Sequence, residues 1–184
     1  PLNGLYYGMT CAGGTGNNGV IFEWNPTTNV YTKKIDFNGT NGAYPKEGAS
    51  LRFSASNGLF YGLTSSGGTS NFGELFSYNP ITNTLTSVLS MSGSDGKFPT
   101  GSPLIHEYPN GDFNIIFTCR NGGLNDYGTI HNVSYISTLN SYSQTFYHFD
   151  NLPLLNNNEY MKYPLGDVVQ AKELNNGKVV LIGM

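Results

Sequence analysis

GLYYGMTCAGGTGNNGVIFEWNPTTN, running from Gly4 to Asn29, returns 54 residues later as GLFYGLTSSGGTSNFGELFSYNPITN, from Gly58 to Asn83, with its glycines, aromatics and Asn-Pro turn retained. Self-similarity at a fixed period marks a repeat architecture, in which each copy is one supersecondary unit that buries its apolar face against its neighbours. A third copy opens at Asn110-Gly111, and a fourth opening stands at Asn176-Gly177. Column by column, Thr10-Cys11, Thr64-Ser65 and Thr118-Cys119 align, each followed by a glycine pair: Gly13-Gly14, Gly67-Gly68 and Gly122-Gly123. Trp24, Tyr78 and Val133 follow, then Phe37, Met91 and Phe149, then an aromatic-proline step at Tyr44-Pro45, Phe98-Pro99 and Tyr163-Pro164. The chain therefore divides into repeats at roughly 3–56, 57–109 and 110–175 with a partial fourth at 176–184, all within one domain, and the third copy is the most diverged.

Each repeat reads as four short strands, because runs of Val, Ile, Leu, Phe and Tyr are broken about every ten residues by turn residues. In the second copy the strands are expected at Gly48 to Ala55, Leu59 to Ser65, Gly73 to Tyr78 and Asn83 to Met91. Ser56-Asn57-Gly58 makes a tight hairpin, since Asn-Gly tolerates the positive φ of such a turn. No stretch has useful helical periodicity. Val20-Ile21-Phe22 and Glu74-Leu75-Phe76 are apolar on consecutive positions, which suits a small sheet covered on both faces. Radial stacking of such sheets fits this pattern better than a half-exposed sandwich. The expected fold is all-β and β-propeller-like, with about three four-stranded blades and the start of a fourth. A closed propeller needs at least four blades, so the chain is expected to be a segment of a longer one, with closure by further blades or by association of copies.

An inner strand, a strand ending in Gly-Gly and a strand ending in aromatic-Asn-Pro-x-Thr-Asn together resemble the kelch-type propeller blade. The Tyr-Gly-Met-Thr, Gly-Gly, Gly-Val-Ile-Phe and Asp-Phe-Asn-Gly-Thr-Asn-Gly segments are more closely similar to the GloVer tandem repeat of large bacterial surface proteins. That resemblance covers the first two repeats fully and the third in part. It implies an extracellular or cell-surface setting, in proteins that often carry a separate C-terminal sorting or anchoring domain, and it does not by itself imply an activity.

Composition narrows the partners. Only 11% of residues are charged and the net charge is −3, with no basic patch for a phosphate backbone, so nucleic acid is not an expected partner. No apolar run approaches the length that spans a bilayer. Cys11 and Cys119 stand in equivalent columns two repeats apart, too far for a disulfide in a propeller, and are expected to be free, buried thiols. No zinc spacing or calcium loop occurs, so no metal and no cofactor is expected. His106, His131 and His148 fall in different columns, and His131 stands where the other copies have Phe22 and Phe76. It is read as a core or edge histidine rather than a catalyst. Trp24, Tyr31 and Tyr78 are read as core packing.

Successive strands alternate direction, so the connections between strands two and three, and from strand four onward, emerge at the same end of each sheet. These are Cys11 to Gly19, Ser66 to Phe72 and Arg120 to Tyr127, with Asn38 to Glu47, Ser92 to Thr100 and Asp150 to Lys162. Phe149 to Tyr163 spans 14 positions, against 7 for Phe37 to Tyr44 and for Met91 to Phe98. One-sided insertions of this kind often make a binding surface, though a locally packed loop expansion is an equal reading. The candidate ligand residues are accordingly Arg120, Asn125, Asp126 and Tyr127, with Leu154, Asn157, Glu159 and Tyr160 of the insertion. The expected role is structural or ligand-binding, as an adhesin or carbohydrate-binding element whose partner is a glycan or surface protein, without catalysis. Two other readings stay open: a polysaccharide-degrading propeller enzyme with some carboxylates supplied by further blades, and a cytoplasmic kelch-like scaffold.

Overall fold

The computed structural model of the chain describes residues 3–46, 49–149, 162–173 and 179–183. Among them are thirteen strands and no α-helix. β1 (Tyr6–Thr10), β2 (Val20–Asn25) and β3 (Val30–Asp36) form a first, three-stranded sheet. β4 (Arg52–Phe53), β5 (Phe60–Thr64), β6 (Glu74–Asn79) and β7 (Thr84–Ser90) form a second, and β8 (Lys97–Glu107), β9 (Phe113–Asn121), β10 (Thr129–Ile136) and β11 (Ser141–His148) a third, each four-stranded. β12 (Val168–Glu173) pairs with β13 (Val179–Gly183). Every pairing is antiparallel between neighbours in sequence, and none of the sheets closes on itself. So of the three four-stranded sheets expected, two have four strands and the first has three.

The turns follow from the repeated asparagines. Asn25 and Asn79 each accept, through the side-chain oxygen, two backbone N–H groups of the following residues (Thr27 and Thr28; Ile81 and Thr82). Each turn then closes on an asparagine in the left-handed region, Asn29 at φ 53 and Asn83 at φ 54, a conformation that asparagine adopts more readily than most residues.

The second sheet is covered on both faces, as its consecutive apolar residues require. Phe60, Phe76 and Tyr78 join Ile21 and Phe37 of the first sheet in one core, with Tyr7, Met9 and Ile35 packed against it. Tyr61, Leu63 and Leu75 point the other way, into a second core with Phe113, Ile115, Phe117 and Val133 of the third sheet. All five residues of β5 are buried as a result. Burying each such side chain contributes about 1.5–3 kcal/mol.

The opposite face of the first sheet carries Tyr6, Phe22, Trp24 and Tyr31. Trp24 stacks on Tyr31 (5.8 Å, 15°), and Tyr31 is 64% exposed. Of the three aromatics expected in the core, Tyr78 is fully buried, Trp24 half-buried and Tyr31 outside it. The reason is positional: Trp24 and Tyr31 lie on the face that in the second sheet is covered by the sheet before it. On that face the Phe22 ring lies across Gly8 of the neighbouring strand, and the Phe76 ring across Gly62, each so closely that a Cβ on the glycine would collide with it.

The third sheet departs from this pattern. The strand pairs set Thr10 opposite Val20, Thr64 opposite Glu74 and Cys119 opposite Thr129, so Cys119 occupies the place of Thr10 and Thr64, one position away from the column of Cys11. Successive residues of a strand face opposite ways. Both thiols are free, but Cys119 is buried and Cys11 is exposed, which corrects the expectation that both lie inside. Where the other sheets set a phenylalanine over a glycine, the third sets the His131 ring flat on Phe117 (4.6 Å, 6°). His131 is fully buried, a core histidine as its column suggests.

Candidate functional site

The two sets of connections do meet at one end of the sheets. In each glycine-pair loop a left-handed residue ties the loop to its own start. Asn17, Asn71 and Asp126 have φ 56, 60 and 60, and their side-chain oxygens accept the N–H of Gly13 (2.9 Å), Gly67 (3.0 Å) and Gly122 (2.8 Å). The loop so fixed presents one further carbonyl, from Asn18, Phe72 or Tyr127. Each receives, at 2.8 Å, the N–H of the aromatic that precedes the proline: Tyr44, Phe98 and Tyr163.

Those three aromatics are strained. Their φ values are 52, 56 and 54, whereas a bulky residue before proline is ordinarily extended. Such a conformation costs on the order of 1–3 kcal/mol and persists where surrounding structure enforces it. Enforcement comes from the hydrogen bond on one side and from the proline ring on the other, which packs at Gly19, Gly73 or Gly128 where a Cβ would be driven into it. The rings are nonetheless turned outward, at 47%, 38% and 45% exposure. Phe98 meets Phe72 edge-on (6.2 Å), and Tyr163 meets Tyr127 in the same way (6.3 Å). Lys97 Nζ sits over Phe72 at 5.6 Å and Lys162 Nζ over Tyr127 at 4.2 Å.

At the first of these junctions lies a cleft of about 340 Å³, lined by Cys11, Tyr44, Pro45, Lys46 and Ser65. That size is at the small end of ligand sites. Its residues come from the ends of β1 and β5 and the connection between their sheets. The backbone there is fixed: Ala43 and Ser66 exchange both hydrogen bonds (2.8 and 3.1 Å), and the Ser65 hydroxyl donates to the Tyr44 carbonyl (2.7 Å). The cleft offers a ring face, a hydroxyl, an ammonium and a thiol.

The residues expected from sequence stand at the same end, one repeat further on. Arg120 is exposed near the end of β9, in the structural place of Ser65. Asn125, Asp126 and Tyr127 form the loop that follows. Asp126 is engaged within that loop and by Lys97 (3.0 Å); the Gly122 N–H above all, with Lys97 and Asn121, holds its carboxyl below the usual carboxylate range. Leu154, Asn157, Glu159 and Tyr160 lie outside the described residues. In the sequence the aromatic-proline step is a repeat column, and no local motif marks Tyr44, Phe98 or Tyr163 as part of a site. Their recurrence was the available signal.

Among the described residues no three of His, Cys, Asp and Glu converge, and no helix is long and apolar enough to cross a membrane. Two carboxylates are committed between strands and sheets. Glu107 accepts from the Ser54 hydroxyl (2.7 Å) and the Ser56 N–H (3.0 Å), joining the second sheet to the third. Glu74 is buried, accepts from the Ser87 hydroxyl (3.1 Å), and is held above the usual carboxylate range by burial.

No curated protein matches the chain. The repeat spacing, the glycine-pair loops and the aromatic-proline junctions together run through nearly all of its length, and over residues 2–177 the chain belongs to the Gloeobacter/Verrucomicrobia repeat family.

Proposed function

We propose that the chain is part of a cell-surface or secreted β-propeller whose loop end holds a glycan, a structural and ligand-binding module without catalysis. The observation that carries this reading is the column Tyr44, Phe98 and Tyr163, a strained aromatic turned to solvent in all three repeats. Glycine or asparagine would take such a φ at lower cost. A ring kept there three times supports a use for its outer face, and an aromatic face stacks on the apolar face of a sugar while the hydroxyls and amides around it serve the sugar's own hydroxyls. Low charge suits a neutral or weakly charged saccharide.

The propeller reading is supported by the way the second sheet lies between its neighbours, and by the identical columns that the first sheet leaves bare. Sheets of the same kind, from the rest of a longer chain or from other copies, would continue the series around a ring.

The test is binding of the protein to a panel of immobilised polysaccharides, with Tyr44→Asn, Phe98→Asn and Tyr163→Asn as variants. Asparagine tolerates the backbone conformation and removes the ring. The expected result is at least a tenfold loss of binding with no fall in melting temperature. Binding equal to wild type in all three variants overturns the site, and turnover of a polysaccharide overturns the non-enzymatic reading. Antibody labelling of intact cells making the full-length protein checks location, since labelling confined to lysed cells rules out the surface.

A further inference from the structure

The junction between the second and third sheets differs from the junction before it in three places at once. Between the first and second sheets, the corresponding positions are Phe37, Thr64 and Phe76, with Phe37 edge-on to Phe76 at 5.4 Å. In the next junction the same three columns hold Met91, Cys119 and His131. A hydrocarbon ring, a hydroxyl and a second ring have been replaced by a thioether, a thiol and an imidazole.

Met91 and His131 both touch Cys119. Cys119 Sγ lies 3.6 Å from Met91 Sδ and 3.6 Å from His131 Nε2. An ion at the usual ~2.3 Å from each sulfur and ~2.0 Å from the nitrogen would, at those spacings, subtend about 103° between the sulfurs and about 114° between sulfur and nitrogen. Those two angles suit three- or four-coordinate binding. We propose that this junction binds one soft monovalent ion, copper(I), through Cys119, Met91 and His131.

The surroundings fit that assignment. Thiolate and thioether donors select copper(I) over the harder divalent ions. Gln144 reaches the other ring nitrogen, with its amide nitrogen 3.1 Å from Nδ1. A half-turn of that amide sets its oxygen to accept from Nδ1–H, the usual outer partner of a ligating imidazole, and Nε2, which lies 3.1 Å from the Thr129 hydroxyl, gives up that contact to the ion. Burial lowers the His131 pKa to about 4, so the ring is neutral at physiological pH. Burial pushes the Cys119 thiol well above its ordinary range. Binding therefore forms the Cu–S bond as the S–H bond breaks and its proton leaves to solvent, with no change of oxidation state. Asp95, the charged group that bears on both Cys119 and His131, favours the cation.

The turn that carries Asp95 closes over Cys119 and His131. There the Gly93 N–H donates to the Gly96 carbonyl (3.1 Å), and Gly96 lies so close over Cys119, Thr129 and His131 that any side chain on it would meet all three.

The test is an anaerobic titration of the purified protein with copper(I) against a chromophoric copper(I) chelator, with silver(I) as a redox-inert check. One equivalent is expected, with a near-ultraviolet thiolate-to-metal band and a raised melting temperature. Cys119→Thr, Met91→Phe and His131→Phe each install the residue that sister repeats use in that column, so their folding is checked by circular dichroism against a built-in precedent. Cys119→Thr is expected to abolish binding, the other two to weaken it at least 100-fold, and Gln144→Leu to weaken it about tenfold. Cys11→Ser is expected to leave it unchanged. The absence of a bound equivalent in the wild-type protein, or an equivalent that survives Cys119→Thr and is lost in Cys11→Ser, overturns the proposal.

Discussion

The first and second sheets carry nearly the same residues in the same columns and treat them in opposite ways. Tyr6, Gly8, Phe22 and Trp24 of the first correspond to Phe60, Gly62, Phe76 and Tyr78 of the second. In the second sheet these residues are sealed by the sheet before it; in the first they face outward, with Tyr6 45% exposed. What makes a residue core in this molecule is the neighbour it meets, since one column supplies both a buried tyrosine and a half-buried tryptophan.

That comparison can be broken most directly with Phe76→Ala and Phe22→Ala, the same change in the same column. Phe76→Ala is expected to lower stability by about 3–5 kcal/mol in denaturant unfolding, and Phe22→Ala by no more than about 1 kcal/mol. Equal losses would mean that the first sheet's outer face is covered in solution. His131→Phe extends the contrast to the third sheet. The folded pKa of His131 is lowered from 6.5 to about 4 by burial, so its contribution is fully present above pH 6.5 and fades as the pH falls toward 4. Wild type is expected to lose about 3 kcal/mol relative to His131→Phe over that interval, and parallel stability curves would contradict the histidine's buried, neutral state.

Glu74 gives a smaller effect of opposite sign. It stands where the first sheet has Val20 and the third has Thr129, and its Oε2 is buried without a partner. Its pKa is raised, so the folded state disfavours the ionised form, and the penalty disappears as the pH drops through the folded pKa. Glu74→Gln is expected to add ~1 kcal/mol at pH 7 and nothing near pH 4, measured by melting temperature at both. Tyr31→Thr, on the bare face, is expected to shift stability by no more than about 0.5 kcal/mol.

The repeat, most of the strands, the turns and the two-sided burial of β5 and β6 were legible, because each depends on local chemistry recurring at a fixed period, whereas the strand expected from Gly48 to Ala55 is only Arg52–Phe53. In the third repeat the alignment failed by one residue. Three positions separate Thr64 from Gly67 and four separate Thr118 from Gly122, and an alignment anchored on the threonines puts Cys119 beside Cys11. Backbone pairing assigns it to the threonine column instead, and with a period of two that single step is the difference between core and solvent. The cleft was illegible for another reason. Cys11, Tyr44 and Ser65 are far apart in the chain and form no local motif, and the strain that sets Tyr44 apart exists only once the loop carbonyl of Asn18 is in place.

The paired hydrogen bonds between Ala43 and Ser66 have a mechanical consequence. They clasp the connection from the first sheet onto the loop that follows β5 of the second, close to the apolar seam between the two. A pull that draws the first sheet away shears this clasp and the seam together, so neither can fail by fraying one residue at a time. Under tension the two sheets should part in a single step and release the connection between them as slack, which makes each junction a unit of extension as well as a unit of folding.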